Sequence, residues 1–308
     1  MNIINQNRDI FPKSIINIAI FNASHVTTEL AGAFLIALQN ALSCPDRIHI
    51  VNTFSYDDEK TLYIIICPAG LGSDKYVRGP KYYITYQLEP LFILQRETYR
   101  DFLSKAIFNW DYSLVNVKAL ANDALNAPLY KLNYLSPGYT PNVSALDIVS
   151  GDYNYTDEGK DVDVLFLGWD EIYERRKIIK ENLYKTGLRV WFVWTLNLEG
   201  MQQAIRRAKI CINIHSADII TSLETIRLNI LLSNQACVVS ENINDVECEI
   251  YKDNVFFVPY DKLVETCVAL VNNPEMRKRK AIESYQWYKN ERDWNKIVDF
   301  KSMLPNFM

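Results

Sequence analysis

A glutamate and an arginine three positions apart, Glu224 and Arg227, stand at the start of the segment LETIRLNILLSNQACVVSE. On a helix such a pair shares one face. An ionised carboxylate only accepts hydrogen bonds, and the two neighbouring hydroxyls of a ribose both donate them, so Glu224 has the chemistry to hold a ribose. The structural alternative is a carboxylate that stabilises the positive end of the helix dipole, with Arg227 as its partner.

The apolar run ICINI (210–214) precedes this segment, and His215 and Ser216 directly follow the run. In open parallel sheets, ligands bind beyond the carboxyl ends of the strands. We therefore expect His215, Ser216, Glu224 and Arg227 to line a nucleotide site.

A second group of charged residues follows the apolar run DVLFLG, in the stretch WDEIYERRKIIKENL. Gly168 closes the run, and Arg175 and Arg176 fall in the first turns of a helix predicted over 172–184. Helix N-termini bind anions through free N–H groups, and a guanidinium adds bidentate contacts to phosphate oxygens. Because Arg176 continues the apolar stripe of this helix, it should point toward the sheet and contact a diphosphate. The alternative is a surface charge cluster.

In the first half of the chain, Ser24 and His25 follow the apolar run INIAIF. A histidine with a pKa near neutrality can take a proton from an attacking hydroxyl. His25 is therefore the candidate catalytic base. The alternative is that these residues cap the helix that follows.

Four further residues lie where later strands of the first half are predicted to end. Gly70 and Gly72, in CPAGLGSDK, would let the backbone approach a ligand closely. Tyr86 and Glu89, in TYQLEP, would help to hold an acceptor, and together with Ser24 these residues form the predicted acceptor site. Capping and packing are the alternative roles.

The composition is that of a globular protein. The 308 residues are 49% hydrophobic and 23% charged, which suggests two domains of about 150 residues. The net charge is −4 and no run of five basic residues occurs, so we expect no nucleic-acid partner. The six scattered cysteines favour a reducing compartment. With no long apolar stretch and no signal-peptide pattern, we expect a cytoplasmic protein without a membrane span.

Apolar runs alternate with helix-patterned segments throughout the chain, which predicts an α/β fold. The first-half strands are INIAIF (16–21), RIHIV (47–51), LYIIIC (62–67), YYITYQL (82–88), DYSLVNV (111–117) and LYKLNYL (129–135), with a helix over 27–42. The second-half strands are DVLFLG (163–168), VWFV (190–193), ICINI (210–214), ACVVS (236–240) and VFFV (255–258), with helices over 172–184, up to about 209, and from 223. The polar segment 143–161 separates the halves, so we place a domain boundary at 150/151.

No metal site is expected from the sequence. The three histidines lie far apart, and the cysteines lack CxxC spacing. The carboxylate pair Asp161 and Asp163 stands at the entry of a strand, on the wrong side of a parallel sheet for nucleotide chemistry.

The order of these segments resembles the glycosyltransferases of the GT-B architecture, especially the compact family-1-like type of bacterial spore-associated proteins and large DNA viruses. FLGWDEIYERRKII looks like the strand, loop and helix that meet the nucleotide diphosphate, and SLETIRLNILLSNQACVVSE like the sugar-nucleotide helix and the strand after it. YITYQLEPLF and YLSPGY resemble recurring first-domain segments. The resemblance covers about residues 60–260 and rests on dispersed positions.

The resemblance implies two Rossmann-like domains that face each other across a cleft: an acceptor-binding domain over 1–150 and a nucleotide-sugar-binding domain over 151–285. Residues 286–308 would form a C-terminal helix that packs back on the first domain. Glu224 matches the ribose-holding second glutamate of the family's glutamate pair, whereas the first glutamate is replaced by Ser216. Arg176 or Arg175 matches the cation that binds the diphosphate in place of a metal.

We therefore expect a metal-independent glycosyltransferase. It would move a hexose or pentose from a UDP- or GDP-sugar to a hydroxyl of a glycan, glycoprotein or other acceptor, with no cofactor besides the donor substrate. His25 would take the acceptor proton, and Arg176 would stabilise the departing diphosphate. Two alternatives stay open: a nucleotide-sugar epimerase of the same architecture, and a non-catalytic binding or scaffold protein built on this fold.

Overall fold

The computed structural model describes residues 11–24, 27–71, 78–90, 97–121, 132–144, 157–220, 222–243 and 246–307. The chain divides into two compact units. The first comprises Met1–Pro137 and Trp294–Met308, and the second comprises Gly138–Asp293. These boundaries lie at 137/138 and 293/294, compared with the 150/151 and 285/286 expected from the sequence.

The described strands of the first unit form a parallel sheet in the order β2-β1-β3-β4-β5-β6. The strands are β1 (Asn17–Asn22), β2 (Ile48–Val51), β3 (Thr61–Ile66), β4 (Tyr83–Gln87), β5 (Asn109–Asp111) and β6 (Leu132–Tyr134). The helices are α1 (Thr28–Ala41), α2 (Glu97–Lys105) and α3 (Leu114–Ala121). Every residue of β3 is buried. A central parallel strand is covered on both faces, which explains why β3 is an unbroken apolar run in the sequence.

Phe34 of α1 lies at the centre of an aromatic cluster in the first unit. Its ring is 5.6 Å from Tyr86 and Trp110, 5.3 Å from Trp294 and 5.5 Å from Phe300. All five side chains are fully buried or nearly so. The last residues of the chain thus complete the core of the first unit.

Two predictions for secondary structure in this unit are wrong. The run DYSLVNV does not form a strand: β5 ends at Asp111, and α3 begins at Leu114. The backbone N–H of Ser113 donates to Oδ1 of Asp111, and this local turn ends the strand. The apolar residues that follow have helical spacing.

The C-terminal segment is also not one helix. The helix α9 (Pro274–Glu291) ends in the second unit, and the return to the first unit is made by α10 (Trp294–Ile297) and α11 (Phe300–Met303). At the exit from the second unit, the N–H of Tyr139 donates to the carbonyl of Arg292 at 2.8 Å. Asp299 starts α11 by accepting the N–H of Ser302.

The second unit contains a parallel sheet in the order β11-β10-β9-β7-β8 among its described strands. The strands are β7 (Val162–Leu167), β8 (Val190–Val193), β9 (Ala208–Asn213), β10 (Val238–Glu241) and β11 (Phe256–Val258). The helices are α4 (Glu174–Lys185), α5 (Leu198–Arg207), α6 (Thr225–Ser233), α7 (Val246–Tyr251), α8 (Leu263–Val271) and α9. The switch in strand order between β7 and β9 brings their carboxyl ends side by side.

The core of this unit lies between β7, β9 and β10 and the helices that cover them. On α4 the buried residues are Arg176, Ile179 and Leu183, at the helical spacing that the sequence predicts. Ile172 precedes this helix and is 59% exposed, because α4 begins only at Glu174. No helix in the described part of the chain is long and apolar enough to cross a membrane.

Candidate functional site

The carboxyl ends of β7 and β9 and the start of α6 bring charged side chains together in the second unit. We call Asn213, His215, Glu224, Arg227 and Arg176 the arginine–glutamate cluster. Asn213 ends β9 and His215 follows it, Glu224 and Arg227 begin α6, and Arg176 lies in the first turn of α4. The four charged or titratable members were predicted from the sequence to meet here.

Glu224 is the centre of this cluster. Its Oε1 lies 3.7 Å from Nη1 of Arg227 and 4.0 Å from Nη2 of Arg176, and its Oε2 lies 2.6 Å from Nδ1 of His215. Nδ1 of His215 is close to this carboxylate, but the two groups are not aligned as in a hydrogen bond. Asn213 donates to Oε2 at 3.3 Å. The side chain of Glu224 keeps 21% of its surface exposed, so a ligand can reach it.

The two arginines flank Phe166, a buried residue of β7. Each guanidinium carbon lies 5.0 Å from the centre of that ring, which is cation–π distance. Arg176 donates to the carbonyls of Ile214 (3.1 Å) and Trp169 (2.7 Å).

Arg227 is fixed by β7 and β9. Its Nε donates to the carbonyl of Leu167 at 2.9 Å, and its Nη1 donates to Oδ1 of Asn213. Strand-end carbonyls therefore hold both guanidinium groups of the cluster in place.

Burial and the charges of neighbouring residues shift the pKa values of Glu224, Arg176 and Arg227. Burial alone would raise the pKa of Glu224, but His215, Arg227 and Arg176 outweigh it and lower that pKa to about 2. Burial, followed by repulsion from Arg227, lowers the pKa of Arg176 to about 10. Burial likewise lowers the pKa of Arg227, against the opposing effect of Glu224. At neutral pH the two arginines and Glu224 are all charged, which leaves a net positive charge.

Gly168 provides the space in which Arg227 lies. A Cβ atom at this position would come within 2.8 Å of Cζ of Phe166 and 3.2 Å of Nη2 of Arg227. The glycine after β7 therefore contributes by leaving room for two side chains of the site.

Arg175 has a different environment from its neighbour Arg176. Its guanidinium forms a bidentate contact with Glu241 (2.5 and 3.0 Å), and its Nε lies 2.6 Å from Asp218. It also stacks on the ring of Tyr260 at 4.1 Å. Arg175 was the second candidate for the diphosphate-binding cation, but two carboxylates already occupy its donors. Ser216 lies half-buried after His215.

Sequence reasoning missed Glu241, which ends β10 and holds Arg175 and the backbone of His215 in place. Besides Arg175, it accepts the backbone N–H of His215 at 3.2 Å. Its position at the end of an apolar strand was the available signal. A carboxylate there should have been placed at the same sheet edge as His215.

A pair of stacked tryptophans beside the cluster was also missed. Trp169 follows β7 and Trp194 follows β8, with ring centres 4.8 Å apart and planes 9° from parallel. Trp194 is 37% exposed. The backbone carbonyl of Trp169 accepts a hydrogen bond from Arg176, which connects the tryptophan pair to the cluster. The signal was one tryptophan at the end of each of two neighbouring strands.

The predicted acceptor residues lie in the first unit. His25, the candidate base, and Gly72 lie outside the described residues. Ser24 follows β1 and is half-buried, and its carbonyl accepts hydrogen bonds from Asn22 and Thr27. A Cβ at Gly70 would lie 2.2 Å from the carbonyl oxygen of Ala23, so this glycine allows close contact between two backbone segments.

Tyr86 does not have the predicted role. It is fully buried, and its hydroxyl donates to the carbonyl of Leu135 at 2.8 Å. Its ring lies in the aromatic core, 5.6 Å from the ring of Phe34. Glu89 follows β4 and is half-buried at the carboxyl edge of the sheet.

Among the residues that the structure describes, no three His, Cys, Asp or Glu side chains are grouped so as to hold a metal ion.

Comparison with known proteins supports the fold most strongly. No model of a protein family matches the sequence. An uncharacterized protein of Acanthamoeba polyphaga mimivirus is 31% identical over 117 residues, which are 36% of this chain and 40% of that protein. The chain therefore matches less than half the length of this relative.

Several solved structures match nearly the whole chain. HepE of Anabaena, in complex with UDP and glucose, has a TM-score of 0.63 at 12% identity, over 94% of this chain and 100% of its own. An alpha-glucosyltransferase in complex with UDP and DNA containing an HMU base has a TM-score of 0.59 at 10% identity, over 95% and 99%. The DNA-modifying enzyme beta-glucosyltransferase has a TM-score of 0.57 at 18% identity, over 93% and 98%.

The fold is that of the GT-B glycosyltransferases. Both units have the Rossmann-like α/β form that this architecture requires. The similarity that the sequence suggested is thus supported at the level of architecture, whereas membership of the family-1-like type stays a prediction.

The expectation about partners is wrong. We expected no nucleic acid and a glycan or glycoprotein acceptor, but two of these similar proteins bind or modify DNA. The net charge of a whole chain does not exclude nucleic acid, because binding depends on the charge of the local surface.

Proposed function

We propose that this chain is a glycosyltransferase that binds the nucleotide of a UDP-sugar at the arginine–glutamate cluster and transfers the sugar to a hydroxyl group. The observation that carries this proposal is the position of Glu224. It is an ionised, partly exposed carboxylate held between two arginines at the carboxyl edge of a parallel sheet. This is where open α/β sheets bind ligands.

The ribose fits Glu224. Because its pKa is lowered to about 2, the carboxylate is an obligate acceptor across the physiological pH range. A vicinal diol presents two donors to it. The side chain of Glu224 does not cap the N-terminal amides of α6. Its carboxylate instead contacts His215 and Arg227 of the cluster.

The diphosphate fits the positive charge around Glu224 and the start of α6. This nine-residue helix begins beside two buried polar groups, Oγ1 of Thr225 and Nε2 of His215. Neither atom has a hydrogen-bond partner among the described residues. A helix N-terminus favours an anion, and Arg176 and Arg227 add charge that would stabilise the diphosphate as it departs.

The nucleobase and the acceptor are inferred from an exposed aromatic side chain and from the ligands of the similar proteins. The exposed face of Trp194 offers a stacking surface for the nucleobase next to Arg176. UDP is the first nucleotide to test because the similar proteins bind UDP or UDP-glucose. DNA with an HMU base is the first acceptor to test for the same reason.

We further propose that the reaction needs no metal, because Arg176, Arg227 and the helix N-terminus supply the positive charge.

Thermal unfolding with a panel of UDP, GDP, ADP and UDP-glucose, with and without a chelator, tests the proposal. A ligand that binds only the native state raises its stability, by about 2.7 kcal/mol at a hundredfold excess over Kd. We expect stabilisation by UDP that a chelator does not remove and that Glu224→Gln abolishes. Glu181→Gln, on the exposed face of α4, is the matched control and should respond like the wild type. Lack of stabilisation by every nucleotide would overturn the proposal.

A further inference from the structure

A buried polar network in the first unit converges on Glu89. The residue follows β4, at the carboxyl edge of the sheet between the ends of β3 and β5. Its backbone carbonyl accepts two side-chain amides, Nε2 of Gln87 at 3.1 Å and Nδ2 of Asn116 at 2.9 Å. Gln87 is 1% exposed and Asn116 is fully buried.

A second layer of buried groups holds these two amides. The hydroxyl of Tyr99, on α2, donates to Oε1 of Gln87. Nδ2 of Asn116 also lies 3.2 and 3.3 Å from the carboxylate oxygens of Asp111, which is fully buried. Side chains from β4, β5, α2 and α3 therefore fix one short segment of backbone.

The carboxylate of Glu89 has its own donor, the thiol of Cys67. Sγ of Cys67 lies 3.5 Å from Oε1 of Glu89. Burial, and next the negative charge of Glu89, raise the pKa of this thiol to about 12, so it stays protonated and donates. The side chain of Ser24, which follows β1, hydrogen-bonds to the same thiol.

Cys67 holds its position in an unfavourable backbone conformation. Its φ is 51°, in the left-handed region that a residue with a side chain rarely adopts. Its N–H donates to the carbonyl of Tyr86, and its own carbonyl accepts the N–H of Gly70, each at 2.9 Å. Backbone strain of this kind persists where the surroundings over-determine it, and it is concentrated at functional sites.

Desolvating polar groups is costly, and a buried network of hydrogen bonds rigidifies the segment that it holds. Their common result is a half-buried carboxylate with a fixed backbone and a fixed donor. Such pre-organisation is what a reacting group requires.

We propose that Glu89 is the catalytic base that takes the proton of the acceptor hydroxyl, and that Cys67 is a positioning residue that fixes its carboxylate. This inference rests on the proposed function. It assigns the base to a residue that the sequence suggested only as an acceptor contact, in place of His25.

In the proposed transfer, the acceptor hydroxyl attacks the anomeric carbon of the donor sugar. The acceptor oxygen forms a bond to the anomeric carbon and loses its proton to a carboxylate oxygen of Glu89. The bond between the anomeric carbon and the diphosphate oxygen breaks, and the diphosphate leaves with the electron pair. When water takes the place of the acceptor, the same step is hydrolysis of the donor.

Release of UDP from UDP-glucose, with water or with DNA containing an HMU base as acceptor, tests the role of Glu89. Glu89→Gln should lower the rate at least a hundredfold while UDP affinity stays within twofold. Its fold should survive, because the network holds the backbone carbonyl of this residue. Glu59→Gln, an exposed glutamate paired with Lys81, is the matched control and should keep the wild-type rate. Added formate should restore part of the rate to Glu89→Ala.

Cys67 is tested by the pH dependence of the same rate. The titratable groups near Glu89 in the described structure are Cys67, Tyr99 and Asp111. Cys67→Ala removes a donor to the charged carboxylate, so the acidic limb of the profile should move to higher pH. Cys67→Ser retains a donor and should keep the wild-type limb.

The contact between the two residues can be read without turnover. In protein labelled with 13C-cysteine, Glu89→Gln removes the charged acceptor of the thiol, so the NMR signal of Cys67 at neutral pH should shift, whereas Glu59→Gln should leave it in place. An unchanged signal in Glu89→Gln would overturn the positioning role. A wild type that does not bind UDP would refute the proposed function, whereas UDP binding with an undiminished rate in Glu89→Gln would refute only the inference.

Discussion

Arg175 and Glu241 form a bidentate ion pair that joins the start of α4 to the end of β10, with 16% and 8% of their side chains exposed. The adjacent residue Arg176 instead lies 4.0 Å from Glu224 and donates to strand-end carbonyls. Two consecutive arginines thus have separate roles. Arg175 fastens the scaffold, and Arg176 supplies charge to the candidate site.

Removing Arg175 should therefore destabilise the second unit. Arg175→Ala leaves Glu241 buried without its cation, so we expect the free energy of unfolding to fall by about 3 kcal/mol in a urea titration. The double variant Arg175→Met with Glu241→Gln should recover much of that loss. Arg207→Ala breaks an exposed pair with Asp161 and should cost much less than Arg175→Ala. Equal losses in the two single variants would contradict this role.

Gly168→Ala should damage both stability and nucleotide binding. The new methyl group would contact Phe166 and Arg227, and Phe166 is held between two guanidinium groups. We expect a loss of roughly 1–3 kcal/mol in unfolding free energy and weaker UDP binding by calorimetry. Unchanged values of both would show that the space beside Arg227 is not needed.

The stability of the second unit should depend on pH through Glu224. Its pKa is lowered from 4.5 to about 2 in the folded state, so its stabilising contribution is complete above pH 4.5. The contribution is lost as pH falls from 4.5 toward 2, by roughly 2–3 kcal/mol. Chemical unfolding at several pH values should show this decline in the wild type and a smaller one in Glu224→Gln. Parallel profiles would refute the lowered pKa.

Trp294→Ala should destabilise the first unit although the residue lies near the end of the chain. Trp294 is fully buried against Phe34, and its indole N–H donates to the carbonyl of Ser136 at 2.9 Å. We expect a loss of about 3–5 kcal/mol, typical of a buried aromatic side chain, in thermal or urea unfolding. A loss below about 1 kcal/mol would mean that the C-terminal segment is not part of this core.

Much of the fold follows from the pattern of apolar residues. The strand at residues 190–193 has the bounds predicted for VWFV, and the other second-half strands begin or end within about two residues of their predictions. The buried runs of a parallel sheet are continuous, which makes them easy to recognise. DYSLVNV failed because an Asp–Ser turn lies inside an apolar run, and the 286–308 segment failed because short helices have little periodicity.

The candidate site was predictable where a residue's position in the chain fixes its place on the sheet edge. Four residues next to predicted strands are brought together in the structure: Arg176, His215, Glu224 and Arg227. The sequence did not separate the roles of Arg175 and Arg176, because a partner such as Glu241 comes from a strand 66 residues away. It likewise suggested Tyr86, because nearness to the carboxyl end of a strand does not distinguish a core side chain from one at the sheet edge; every residue of β4 is buried.

The most direct test of the account compares UDP with 2′-deoxy-UDP in calorimetric titrations of the wild type and Glu224→Gln. If Glu224 holds the ribose diol, the wild type should bind 2′-deoxy-UDP about tenfold more weakly than UDP, since a hydrogen bond to a charged group contributes about 1.5–3 kcal/mol. Glu224→Gln should bind UDP more weakly and discriminate little between the two nucleotides. Equal affinities for the two nucleotides in the wild type, or the same discrimination in both proteins, would contradict the assignment of this site.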